Sequence, residues 1–344
     1  MTNPAAIPAA IIYGCEGLSL TAAEKALYAR VNPWGFILFK RNVDSPEQVA
    51  RLTAEMRACV GRADAPVLVD QEGGRVQRLG PPHWRAYPNG QTFGKIWDIS
   101  PDRAREAAFL GARLMADDLA RIGITVDCLP VLDVPVEGAH DVIGNRAYHR
   151  SPAVVASIGR AASLGLMAGG VLPVVKHMPG HGRAMCDTHH NLPNVDVPRD
   201  ELERHDFAPF RRMADMPLAM TAHVVFSAID PDHPATQSPV VVREVIRGFI
   251  GFDGLVMSDD LSMKALGGDF QSRTAAILDA GCDMVLHCNG VMDEMQAAAA
   301  GIRPMTPAAM RRAKAALKLI SAPVQPIDRG QADARLDELL ALVA

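Results

Sequence analysis

Aromatic residues make up only 5% of the chain, too few to build a surface on which nucleic-acid bases would stack. No excess of positive charge compensates for them. The 35 Lys and Arg face 39 Asp and Glu, for a net charge of −4, so neither nucleic acid nor an anionic membrane surface is favoured as a partner. Cysteine is scarce too. The six (Cys15, Cys59, Cys128, Cys186, Cys282, Cys288) are scattered and form no Cys-x-x-Cys pair, a pattern of reduced buried thiols in a cytosol rather than of a disulfide framework. No uninterrupted apolar run is long enough to span a bilayer. The stretch from Met1 to Cys15 also lacks the basic start of an export signal. The expectation is a cytoplasmic protein with no nucleic-acid and no membrane partner. Nothing in the sequence sets an oligomeric state.

What is present is a regular alternation. Apolar residues are 49% of the chain, enough for a packed core. Short apolar runs at Ala9–Gly14, Gly35–Phe39, Pro66–Asp70, Thr125–Leu129, Leu172–Lys176, Leu218–His223, Gly254–Ser258 and Asp283–His287 lack polar alternation, as strands buried on both faces do. Between them lie helical patterns whose starts are marked. Ser45-Pro46, Ser100-Pro101, Ser151-Pro152, Ser238-Pro239 and Thr306-Pro307 each set a capping hydroxyl before a proline at the first helical position. Eight strand–helix units favour an α/β fold closed as a (β/α)8 TIM-type barrel, with an open doubly wound sheet as the alternative. After about Gly301 only helical pattern remains. The reading is a single catalytic barrel over residues 1–302 and a C-terminal helical extension, 303–344, packed on it.

In such a barrel the chemistry collects at the C-terminal ends of the strands, and that rule selects a consistent set here. Asp70 ends strand three and leads into Gln71-Glu72-Gly73-Gly74-Arg75-Val76-Gln77-Arg78. Asp133 and then Asn145-Arg146 follow strand four, and Lys176-His177 ends strand five. His223, Ser258-Asp259-Asp260 and His287-Cys288-Asn289 end the last three. Plainer readings stand beside these. Asp70 with Arg75 or Arg78 reads as a structural ion pair, His223 as a satisfied wall residue, Cys186 and Cys288 as packing, and Asp260 as a helix N-cap. The segment from Lys176 to Gly182, followed by Asp187-Thr188-His189-His190, is densest in chemistry. The Asp187-x-His189 spacing lets a carboxylate orient one imidazole nitrogen while the other faces the reaction, as a general acid/base needs. The same histidines invite a metal-dependent hydrolase as a rival. Against it, Pro179 and Gly180 break any helix that would pair His177 with His181.

With these motifs in view, the chain resembles family-three glycoside hydrolases, specifically the single-domain bacterial β-N-acetylhexosaminidases of peptidoglycan recycling. The resemblance runs from about Ile11 to about Met292. It rests on the Asp70–Leu79 segment, on Lys176-His177-Met178-Pro179-Gly180-His181-Gly182, and on Gly254–Met263 with its Ser258-Asp259-Asp260-Leu261-Ser262-Met263. It implies Asp259 as nucleophile, His189 as acid/base assisted by Asp187, and Asp70, Arg78, Arg146, Lys176 and His177 as residues that hold N-acetylglucosamine by its hydroxyls. It implies no metal and no organic cofactor. The expected substrate is a small molecule, an N-acetylglucosaminyl muropeptide or an amino-sugar oligosaccharide. Two departures are Met178, where the family usually has Phe, and Asn145, where it commonly has an acidic residue. Asp259 is expected to stay ionised beside Lys176 and Arg146. A catalytically dead sugar-binding protein on the same barrel is the remaining alternative.

Overall fold

The computed structural model describes residues 7–138, 141–184, 192–320 and 323–344. Eight parallel strands close into a barrel: β1 (Ala9–Tyr13), β2 (Pro33–Leu38), β3 (Val67–Val69), β4 (Val126–Asp127), β5 (Leu172–Met178), β6 (Leu218–Thr221), β7 (Leu255–Asp260) and β8 (Met284–His287). Each pairs with its chain neighbours, and β8 closes on β1, with Ile12 opposite Leu286. All eight expected segments became strands, and the closed order excludes the open sheet.

The missing polar alternation has a direct cause. Successive strand residues point to opposite faces, and here both faces are apolar. Ile12, Leu68, Val126, Val174, Met257 and Leu286 fill the barrel interior. Ile11, Val67, Val69, Val175, Val256 and Val285 pack outward under the helices.

The surrounding helices are α1 (Ala22–Val31), α2 (Pro46–Val60), α3 (Gly90–Ile99), α4 (Pro101–Arg121), α5 (Pro152–Ala168), α6 (Arg199–Arg204), α7 (Ala208–Arg212), α8 (Phe270–Asp279), α9 (Met292–Gly301), α10 (Pro307–Ile320) and α11 (Arg329–Leu340). The hydroxyl–proline starts were partly right. Ser45 accepts from the Gln48 amide and Thr306 from that of Ala309. Ser100 and Ser151 stand at the cap position but make no side-chain cap bond. Ser100 also ends α3, its own amide bonded to the Ile96 carbonyl at 2.8 Å. Ser238 accepts from the Val241 amide at 3.0 Å, but the coil that follows, Val241–Phe249, is a wider π-helix. Nine residues are too short for the two helical periods to be told apart by apolar spacing.

Helix α10 closes the end of the barrel opposite the strand C-termini. Its Ala309, Ala313 and Ala316, with Met305, join the interior core, and the Met305 amide bonds the Pro8 carbonyl just before β1. Arg312 and Arg247 share Asp283, at 2.8 and 2.7 Å, and fasten the helix there. Only small side chains let the helix approach so closely. Ala313→Leu should therefore destabilise the protein by about 1–3 kcal/mol through overpacking. A urea titration with an unchanged midpoint would show the contact to be loose. Helix α11 packs on α4, where Arg329 reaches Asp117 at 3.0 Å, and Arg85 reaches Asp333 at 3.1 Å. Among the described residues no helix is long and apolar enough to cross a membrane.

Candidate active site

The chain leaving β3 folds back as a two-stranded hairpin, Gln71–Gly73 against Val76–Gln77. Gly73 has φ +94° and lies so close to Pro88 that a Cβ would sit 2.1 Å from its carbonyl oxygen, so no other residue fits the turn. Buried Gln71 accepts from the amides of Arg78 and Leu79, both at 3.1 Å, and fixes the path of Arg78. Asp70 then pairs with Arg78 and with Lys176 of β5, each at 2.9 Å. Lys176 also reaches Glu72 at 2.6 Å, and Glu72 grips Arg146 through two bonds of 2.8 and 2.9 Å.

The result is a chain of alternating charge: Arg78, Asp70, Lys176, Glu72, Arg146. Burial alone would raise the Glu72 carboxyl, but Arg146 and Lys176 outweigh it and hold its pKa down at about 2. Burial likewise opposes ionisation of Asp70, and Lys176 and Arg78 hold it well below the usual carboxylate range. Burial would lower Lys176, yet Asp70 and Glu72 raise it above the ordinary lysine value. The ion pair considered for Asp70 forms with Arg78, not with Arg75. Arg75 instead donates to the carbonyls of Asp141 and Val142, at 2.6 and 2.8 Å.

Glu72 was not among the expected site residues. A usable signal existed, because Asp70-x-Glu72 on an extended chain places both carboxylates on one face. Glu72 also explains the departure at Asn145: the negative charge beside Arg146 comes from Glu72, not from the residue before Arg146. Met178 is fully buried, filling core volume as its apolar character suggested.

After β4, Asp133 gathers the next group. Its Oδ2 lies 2.6 Å from His177 Nδ1, and its Oδ1 accepts from the main-chain N–H of His181 at 2.7 Å. Burial would raise the Asp133 carboxyl, but His177 holds it low. The carboxylate keeps the proton on Nδ1 and leaves Nε2 toward Arg146, 3.5 Å away. Gly182 allows this fold of the segment, since a Cβ there would lie 2.0 Å from the Val134 carbonyl oxygen. Sequence reasoning noted Asp133 after strand four but gave it no role. Its signal was the strand-end position itself.

At the end of β7, Asp259 is half-buried and its Oδ1 accepts from the Asp260 amide at 2.8 Å. Burial pushes its carboxyl up, but His223, His177, the Asp260 amide and His181 together hold it below the ordinary value. The low value matches expectation, but its source does not. Lys176 and Arg146 are engaged by Asp70 and Glu72, and the groups acting on Asp259 are imidazoles and an amide. Asp260 caps no helix. It accepts from Ser262 N at 3.0 Å and Cys288 N at 3.1 Å, and the next helix, α8, is capped by Asp269. His223 is a satisfied wall residue, between Thr236 Oγ1 at 2.8 Å and the Asp260 carbonyl at 3.0 Å.

Asp70, Arg78, Arg146, Lys176, His177 and Asp259 all line one cavity of about 460 Å³ at the C-terminal mouth of the barrel. Asp187 and His189 lie outside the described residues, as do Cys186 and His190. The described cysteines are all free, and Cys288 is buried in the cavity wall. Among the described residues no three of His, Cys, Asp and Glu converge as a metal ion would require.

Residues 19–320 match the family model for the glycosyl hydrolase family 3 N terminal domain. A protein named β-hexosaminidase from Chromobacterium violaceum is 41% identical over 283 residues, 81% of this chain and 78% of that one. The β-hexosaminidase of Bordetella avium is 38% identical over 288 residues, 82% and 81% of the two chains. Among solved structures, NagZ from Neisseria gonorrhoeae in complex with N-trifluoroacetyl-D-glucosamine is similar with a TM-score of 0.87 at 34% identity. That similarity covers 98% of this chain and 100% of the other.

Proposed function

Since the chain belongs to glycosyl hydrolase family 3, we propose that it is a retaining exo-β-N-acetylglucosaminidase of the cytoplasm. It would release terminal N-acetylglucosamine from peptidoglycan fragments during cell-wall recycling. That it is an enzyme, a glycoside hydrolase like the β-hexosaminidases it matches, follows from the family. The finer reading is carried by one observation: an ionised, half-buried carboxylate, Asp259, opens into the same cavity as Arg78, Asp70, Lys176 and Arg146, which buried Glu72 joins into one array of alternating charge. Sugar hydroxyls both donate and accept hydrogen bonds. A rigid row of alternating donors and acceptors therefore holds them, and no member has to be left unpaired.

In the first step Asp259 attacks the anomeric carbon and forms a covalent glycosyl-enzyme. His189, oriented by Asp187, donates a proton to the leaving oxygen. In the second step neutral His189 takes a proton from water, which displaces Asp259. Asp70, Arg78, Lys176, His177 and Arg146 hold the sugar in register for both steps. No metal or organic cofactor enters either step. Residues 1–302 form the catalytic barrel in this reading, and 303–344 an extension whose α10 seals its far end.

A panel of p-nitrophenyl β-glycosides, with and without phosphate, tests the substrate class. Preference for the N-acetylglucosaminide over the glucoside is expected, with water as the acceptor. Muropeptide and chitin-fragment substrates are then compared directly. Preference for the glucoside, or loss of activity with a chelator, would contradict the proposal. The pH profile offers a separate check. The folded-state pKa of Asp259 lies below its ordinary value, so it stays ionised to lower pH. The acid limb that it sets in kcat/KM should lie below the ordinary aspartate value.

A further inference from the structure

His181 takes no part in the steps above, yet it lines the same cavity as Asp259. Only 3% of its surface is exposed. Its main chain is bonded to Asp133, and its ring meets that of His177 edge to face, with centroids 5.7 Å apart. The ring is therefore held from two sides. Its Nδ1 is buried and meets no hydrogen-bond partner. Orphaned buried N–H groups are rarer in folded proteins than orphaned acceptors, which favours the tautomer with the proton on Nε2. Burial, with His177 beside it, lowers the imidazole's pKa to about 4. At neutral pH the ring is thus an uncharged donor.

The charged or titratable groups that act on His181 are His177, Asp133 and Asp259. A pyranose whose anomeric carbon lies at Asp259 and whose carbon-3 hydroxyl lies at His177 presents carbon 2 between them. We propose that His181 donates from Nε2 to the carbonyl oxygen of a 2-acetamido group there, and so selects N-acetylated amino sugars over plain hexoses. This rests on reading the cavity as a β-N-acetylglucosaminidase site. A site built around such a donor discriminates strongly against a substrate that leaves it unpaired.

The test compares kcat/KM for p-nitrophenyl β-N-acetylglucosaminide and β-glucoside in wild type, His181→Phe and His181→Gln, with the slower substrate followed at high enzyme concentration. Phenylalanine keeps the ring against His177 and removes the donor. The ratio of the two kcat/KM values should fall about tenfold or more. Glutamine keeps an N–H donor and should hold a ratio between wild type and phenylalanine. If His181→Phe does not fold by circular dichroism, His181→Ala is read in its place. A donor-less variant with the wild-type ratio overturns the role of His181 and leaves the enzyme assignment standing. A wild type that does not hydrolyse the N-acetylglucosaminide overturns both.

Discussion

Asp259→Ala is expected to lower kcat by about 10⁴-fold or more, as removal of a nucleophile does, with little loss of stability. The side chain is half-buried, and it accepts from the amide of its own neighbour, Asp260. Among the described residues its removal strands no distant hydrogen-bond partner. A good leaving group should not rescue the variant, because the bond to carbon still has to form. His189→Ala should behave differently. With a nitrophenyl leaving group, protonation is unnecessary in the first step, so that step should be the less impaired. The contrast separates the two roles in a way that a loss of activity alone does not.

Glu72→Gln should destabilise the protein by about 3–5 kcal/mol and raise KM. It removes the charge that pairs buried Lys176 and Arg146, and breaking one member of a buried ionic group costs that much. Arg146 would also lose one of the two bonds that aim it, because the glutamine amide keeps a single acceptor oxygen. Urea titration checks the first effect, and a change below about 1 kcal/mol would reduce the network to the weight of a surface pair. The pH dependence has a definite sign. In the folded protein Glu72 titrates at about 2, against roughly 4.3 when unfolded. Its contribution is therefore complete above the unfolded value and is lost as pH falls toward the folded one. Stability should fall across that window in wild type and fall less in Glu72→Gln.

Much of this arrangement was legible in the sequence, for identifiable reasons. The strands showed because both their faces are apolar, so that Ile11 and Ile12, on opposite sides, carry the same kind of side chain. Asp70, Lys176-His177 and Asp259 showed because a parallel barrel sends its chemistry to strand ends. Glu72 escaped, and Asp133 was noted after strand four without a role, because both act on other residues. Their partners are distant in the chain: Arg146 for Glu72, and His177 for Asp133. The source of the low Asp259 pKa escaped for a related reason. Counting nearby charges suggested Lys176 and Arg146, but their charge is already matched by Asp70 and Glu72. Local spacing likewise marked the start of Val241–Phe249 without revealing its wider coil.

The central claim is that Asp259 forms a covalent bond to the sugar. Incubation with a fluorinated N-acetylglucosaminyl fluoride, chosen to form the glycosyl-enzyme faster than water removes it, tests this directly. Intact mass should show one sugar added per chain. Proteolysis should place it on the peptide bearing Asp259, and Asp259→Ala should show none. No adduct on an enzyme that is turning over, or an adduct on another residue, would contradict the account.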